Sequence, residues 1–432
     1  MRTRNLCIIL ILGGLLFAAI PAPTVSAAII IRVTTAGATS GTCGSTWAAP
    51  CSLQHALTDA ASGDEIWVKE GTYTPGVGRH DAFTLKTGAA VHGGFAGTET
   101  ARTQRNWATH ETILSGDLIG VHSYHVVVSP GVGNTAKLDG FTVTGGSADG
   151  PGVAGQGGGM FNLFGGPTVG NVIFHGNSAV DGGGMYNIDS NPALTNVTFS
   201  GNTAVNHGGG MYNGNTLASS PMIRNAIFWG NTPDQITIQA GSSGTVSYSV
   251  VQGGCPANGT CDHVITADPL LGALGNYGGR ATQTIPLLPG SSAIDAGNGA
   301  YCPATDQRGV ARVGACDRGA FESQKFLLTI TGGNNQHALP GTAFAAPLSV
   351  GISSAHGEPV NGGRITFTAP ASGASATLVS SPVSVAGGAA SVNATANSTL
   401  GSYHVTASAA GANSVSFSLL NGVMAYLPVI VK

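Results

Sequence analysis

Three places along this sequence bring together residue types that could do chemistry. When the triplets beginning at Gly157, Gly182 and Gly208 are aligned, Gln156, Asp181 and His207 fall in one column just ahead of them. Further along the same alignment, His175, Ser200 and Trp229 fall in a second column. Asp181 beside His207 offers a carboxylate and an imidazole for proton transfer, or a weak pair of metal ligands. Trp229 offers a platform for a sugar ring, with His175 and Gln156 as further ligand contacts. A glycoside hydrolase needs two carboxylates about 5 to 9.5 Å apart, and Asp181 and Asp189 are the candidates by coil position. A polysaccharide lyase needs an acidic calcium cluster and a Lys or Arg base, for which Asp139 with Lys137 is the upstream pair. Calcium takes about six to eight oxygens, more than any of these columns supplies. Calcium is therefore a weak expectation, no other cofactor is expected, and each column also reads as an ordinary solvated polar face.

What would position these residues is a repeat. Each glycine triplet is followed by Met, an aromatic residue and Asn, and then by a second module: Asn171 to Asn177, Asn196 to Asn202, and Asn225 to Asn231. The triplets recur after 25 and 26 residues and the second modules after 25 and 29. That period is the length of one solenoid turn, which buries its apolar face only when a neighbour stacks on it. Val172 and Phe174 alternate with Ile173 and His175, a period of two that means strand. The Met-aromatic pairs are too short for helices, and the leucine ladder of a leucine-rich repeat is absent. These features predict an all-β chain built on a parallel β-helix. Val172, Val197 and Ala226 should form one core column, and Phe174, Phe199 and Phe228 another, at about 4.8 Å per coil. The columns Asn171, Asn196, Asn225 and Asn177, Asn202, Asn231 should hold turns and bond along the stack. The glycines supply positive φ or close packing where each coil bends.

Composition narrows the function classes. Charged residues make up only 9% of the chain, so Ser, Thr, Asn and Gly must cover its surface. Arg2 and Arg4 precede an apolar run from Leu6 to Ile20 and the small residues Val25 to Ala28, the pattern of a signal peptide cleaved after about Ala27. Without those two arginines, 15 basic residues face 20 acidic ones, a balance that does not attract nucleic acid. No other stretch could span a bilayer, so the mature chain should be exported, without a transmembrane segment. An oxidising compartment favours disulfides, and the simplest pairing of the six remaining cysteines is local: Cys43 with Cys51, Cys255 with Cys261, Cys302 with Cys316.

Taken in order, residues 1–27 read as the leader, 28–322 as the β-helix with its caps, and 323–432 as a small β-sandwich with a short tail. Ser52 should cap a helix whose Leu53, Ala56, Leu57 and Ala60 cover the open first coil. The third regular coil carries an insertion around Asn215 to Ser220. Pro286 to Cys316 should close the second end. Short alternating strands from Phe326 to Leu419 suggest the sandwich, which lacks cysteine.

The blocks Cys51 to Leu57, Gly63 to Val68 and Gly71 to Tyr73 resemble the opening of secreted bacterial right-handed β-helix repeat proteins. Gly93 to Thr100 and Thr112 to Asp117 look like the next stretch of that group. Leu288 to Gly297, Asp306 to Gly309 and Cys316 to Glu322 resemble its closing segment, the choice-of-anchor Q domain. The glycine and Asn modules are also similar to those of chlamydial polymorphic outer membrane proteins, and the segment after Glu322 resembles bacterial immunoglobulin-like modules. The resemblance implies a right-handed, single-stranded solenoid at the cell surface or secreted, and it implies no reaction. The expected function is a non-catalytic secreted or cell-surface role in adhesion, glycan contact or surface structure, with a polysaccharide or cell-envelope component as partner. The alternative is a polysaccharide lyase or glycoside hydrolase working in a groove on the helix face.

Overall fold

A computed structural model describes residues 28–107, 109–214, 219–277 and 283–422. The expected leader (1–27), the short tail (425–432) and part of the insertion (215–218) lie outside them. Successive coils stack in parallel, and the strands form a right-handed β-helix. The long sheet begins with Ile30–Ala38, Glu65–Lys69, Ala90–Phe95, Lys137–Thr144 and Thr168–His175, then runs on to Thr260–Asp262. A second parallel sheet joins Phe83–Thr84, Val127–Pro130, Met160–Leu163, Met185–Ile188, Met211–Gly214 and Ile236–Ile238. A third joins Ser147–Ala148, Ser178–Asp181 and Thr203–His207.

The period of two decides what points inward. Ile66 stands over Val91, Leu138 over Val169, and Ile223 over Val246, all of them buried. The phenylalanine column forms as the repeat requires: Phe174 and Phe199 stack with centroids 4.5 Å apart, and so do Phe199 and Phe228.

Asparagine does two jobs. Asn171, Asn196 and Asn225 hold φ of 51°, 53° and 48°, the left-handed corner that Asn tolerates. Asn177 donates to Asn202 at 3.0 Å, Asn202 to Asn231 at 2.9 Å, and Asn231 to Gln235 at 2.7 Å, so buried amides satisfy one another along the axis. A further interior ladder, not read from the sequence, runs from Asn162 to Asn187 at 2.7 Å and on to Asn213 at 2.6 Å. Within the triplets the labour is divided. Gly157, Gly182 and Gly208 take positive φ. At Gly183 a Cβ would stand 2.3 Å from the carbonyl oxygen of Thr203, so the next coil leaves no room for one.

The first coil is covered as expected by a helix, Leu53–Asp59, whose buried Leu53, Ala56 and Leu57 join the core. Ser52 caps it by accepting from the His55 backbone N–H at 3.3 Å. The other end differs from expectation. Pro286 to Cys316 does not close it; the chain from Asn298 to Glu322 returns along the flank of the long sheet. Gly319 donates to the Asn225 carbonyl at 2.8 Å, the Ala320 backbone to Thr198 Oγ1 at 3.1 Å, and Gln307 to the Phe141 carbonyl at 3.2 Å. The cause is apolar: Ile173, Ile227 and Val250 face outward and need this strap to leave water. The last coil is met instead by the Cys255–Cys261 loop, where Asn258 donates to the Ile238 carbonyl at 2.9 Å. The Cys43–Cys51 and Cys302–Cys316 disulfides complete the local pairing.

Beyond the strap, Leu327–Gly332, Leu348–Ser353 and Ala389–Val392 form one antiparallel sheet, packed on a five-stranded sheet that includes Arg364–Thr368, Gly401–Ser408 and Val415–Asn421. Its core is continuous with Ile227, Val250, Ile294 and Phe321 of the flank.

The stacked rings yield the first prediction. Phe199→Ala removes the middle ring of three, and the cavity should cost about 3 to 5 kcal/mol. Denaturant unfolding should show a lower midpoint, and an unchanged midpoint would contradict the shared core.

Candidate functional site

The first predicted column is aligned as the repeat demands. Gln156 bridges to Asp181, and Asp181 pairs in register with His207. Asp181 Oδ2 accepts from the Asn206 amide at 3.5 Å, while His207 is exposed, its ring 6.3 Å from that of Tyr212. Gln156 Oε1 and Asp181 Oδ1 are both buried without hydrogen-bond partners. Two such oxygens on adjacent coils are fewer than calcium requires.

In the second column His175 stands over Ser200 and Ser200 over Trp229. The His175 imidazole bonds the Ser200 carbonyl through Nδ1 at 2.8 Å, and Trp229 is half-buried against the apolar cluster of the flank and sandwich. Part of its ring surface is therefore already in use. Asp189 is not brought beside Asp181. It sits in left-handed conformation past the far end of Met185–Ile188, a strand whose four residues rise about 13 Å.

An outward aromatic column escaped the sequence reading. Phe161, Tyr186 and Tyr212 occupy one register, with Tyr186 and Tyr212 stacked at 4.7 Å. Tyr186 and Tyr212 face one another and Phe161 lies against the His125 ring at 5.1 Å, so the column stabilises the stack and leaves little ring face for a sugar.

The third candidate, Asp139 with Lys137, is the most developed. Lys137 Nζ lies 2.7 Å from Asp139, and two residues not picked out from the sequence join them: Arg105 at 3.4 Å and His92 at 3.8 Å. His92 is in register with Asp139 on the neighbouring strand. Arg105 arrives from the loop after that strand, its guanidinium 3.7 Å from the Trp107 ring centroid. Burial would raise the Asp139 carboxyl, but Arg105 and Lys137 overcome it and lower the carboxyl to about 2. Burial first, and then Arg105, lowers His92 to about 3. The imidazole is neutral, and its Nδ1 accepts from Arg105 Nη1 at 3.2 Å. The cluster is thus an ionised carboxylate already neutralised by two cations, beside an imidazole that does not bind protons at ordinary pH.

Cys43, Cys51 and His55 place potential metal-ligand atoms within 4.8 Å of one another. Both sulfurs are spent in a disulfide, with His55 Nδ1 3.4 Å from Cys51 Sγ, so this group lacks the thiolates a soft metal would need. The acids Asp306, Asp317 and Glu322, together with Glu358, are buried at the strap and sandwich junction. There Arg308 bonds Asp306 at 2.9 Å, and Arg312 bonds Glu322 at 2.7 Å.

The His92 shift sets a pH window. Its folded value lies below the ordinary 6.5, so the unfolded chain takes the proton first, and stability falls as pH drops from about 6.5 toward 3. Full protonation of this one group gives a slope of about 1.4 kcal/mol per pH unit. Unfolding free energies of wild type and His92→Gln measured across that window should differ in slope by this amount, the wild type falling more steeply as pH drops, and parallel curves would show that His92 is not buried and neutral.

No protein-family model and no curated protein matches the sequence. Among solved structures, a pectate lyase, Pel9A, aligns at 15% identity over 70% of this chain and 98% of that chain, with a TM-score of 0.27. Among the described residues no helix is long and apolar enough to cross a membrane.

Proposed function

We propose that this is a secreted or cell-surface protein that contacts a polysaccharide or cell-envelope component without turning it over. In this reading the leader exports the chain, residues 28–322 form a rigid presenting rod with a choice-of-anchor Q type closing segment, and 323–432 is an immunoglobulin-like spacer or attachment module. The observation that carries it is the third sheet. There Ser147, Ser178 and Thr203 repeat one per coil, with Gln156, Asp181 and His207 alongside, a row of hydroxyl, amide and ionisable groups that is half-buried at Gln156 and Asp181 and exposed at Thr203 and His207. A ladder fixed by backbone pairing presents such groups with little ordering cost, which favours a repeating partner over a single small molecule.

The alternative reading, a polysaccharide lyase or glycoside hydrolase, draws on the convergence of Lys137, Arg105 and His92 on Asp139. Against it, Lys137 and Arg105 are engaged in holding that carboxylate. A reaction would have to separate them first.

Both readings meet one experiment. The purified chain should bind members of a glycan array and release neither unsaturated sugars nor reducing ends from them. Thr203→Ala combined with His207→Ala should weaken binding several-fold. Turnover abolished by Asp139→Asn would establish the enzyme instead.

A further inference from the structure

Beside the Asp139 cluster, where the loop from Arg102 to Trp107 meets the returning strap, a cleft of about 290 Å³ opens, lined by Arg102, Thr103, Arg105, Trp107, Thr305 and Gly309. This is the small end of the range for ligand sites, about 300 Å³ and upward. We propose that the cleft is a binding site for a single tetrahedral oxyanion, a phosphate- or sulfate-type group. The inference goes beyond the glycan-contact reading, which rests on a different face.

The lining supplies the chemistry. Two guanidinium groups, whose planar forks match phosphate oxygens, stand with two threonine hydroxyls. Arg105 is already in place. Its side chain is 8% exposed, lies against Trp107 and is anchored to Asp139 and His92, so binding orders it little further. The guanidinium has five donors, which leaves capacity beyond those anchors. Arg102, at the mouth, is 49% exposed and pairs with Glu65 at 2.6 Å. Across the ion pairs at this end, Arg102, Arg105 and Lys137 face only Glu65 and Asp139, a local positive excess on a chain whose overall charge is negative.

His92 Nδ1 accepts from Arg105 Nη1 at 3.2 Å and so holds the guanidinium in position from behind the cleft. At Gly309 a Cβ would come within 2.6 Å of Trp107 Cε3, so the strap approaches the ring as closely as it can and fixes that wall of the cleft. The negative whole repels a long polyanion, while a lone anionic group meets mainly the local field.

Calorimetric titration of the full chain at low salt tests this with inorganic phosphate, sulfate, glucose 6-phosphate, glucuronate and glucose. Phosphate and sulfate should bind saturably and glucose should not. Arg102→Ala, at an exposed position, should keep the circular dichroism of the wild type and weaken phosphate about tenfold or more, and Thr305→Val should weaken it less. Tighter binding of glucose 6-phosphate than of inorganic phosphate would support an ester carried on a glycan, and the reverse would support free phosphate. Failure of wild type to bind phosphate or sulfate, equal affinity in Arg102→Ala, or tighter binding of glucuronate would overturn the proposal. Glycan-array binding through the third sheet should be the same in Arg102→Ala, so the two readings fail separately.

Discussion

Backbone pairing between successive coils, in parallel and in register, is the constraint on which the rest of this structure depends. Once Phe174, Phe199 and Phe228 share a register, every other position of the repeat is assigned a column, and each column must suit its own neighbours above and below. A ring stacks on a ring and an amide bonds an amide, while glycine lies where the next carbonyl leaves no space for a side chain. A buried amide left without its partner would cost about 1 to 3 kcal/mol. The ladders Asn177 to Gln235 and Asn162 to Asn213 are tolerated in the interior because the register supplies those partners.

The same register creates a difficulty on the outside. Ile173 and Ile227 fall on the outer side of strands whose inner side is already apolar, and the strap with its sandwich removes them from water. That cover brings charges inward. Asp306, Arg308, Glu322 and Glu358 are buried at the junction, with Arg312 half-buried beside them, and they are paired because an isolated buried ion costs several kcal/mol. Arg308 is further held against the Phe321 ring, with 3.6 Å to its centroid. The Asp139 cluster follows the same logic at the other end of the flank, under Trp107.

How much of this was legible in the sequence followed from how regular the repeat is. Between Gly157 and Asn231 the spacing near 25 residues assigns columns directly, and the core, the capping helix, the sandwich strands and the local disulfides could be read. Where the period breaks, register could not be read. Val91 lies under Leu138 across a long excursion that contains Arg105 and Trp107, so nothing in the spacing pointed His92 or Arg105 at Asp139. The strap was misplaced for a related reason. Ile173 enters the sequence reading only as the alternate of Val172 and Phe174, and Ile227 only within its module, although an outward β-branched column is itself a sign that something must cover it. Gln156, Asp181 and His207 share one column in the structure as in the alignment, yet alignment says nothing of side-chain direction, and the Asp181 carboxylate bonds Asn206 and not the His207 imidazole.

Function depends on whether the ionisable groups on the long sheet are structural, spent on holding one another and the loop above them, or free to react. The most direct measurement is a nuclear magnetic resonance titration of the His92 imidazole in the intact chain. A ring that stays neutral, with unmoved signals from pH 8 down to about 4, agrees with a closed cluster whose midpoint lies near 3. A midpoint near the ordinary 6.5 would mean a solvated imidazole beside an accessible carboxylate, and the structural account of this site would be wrong.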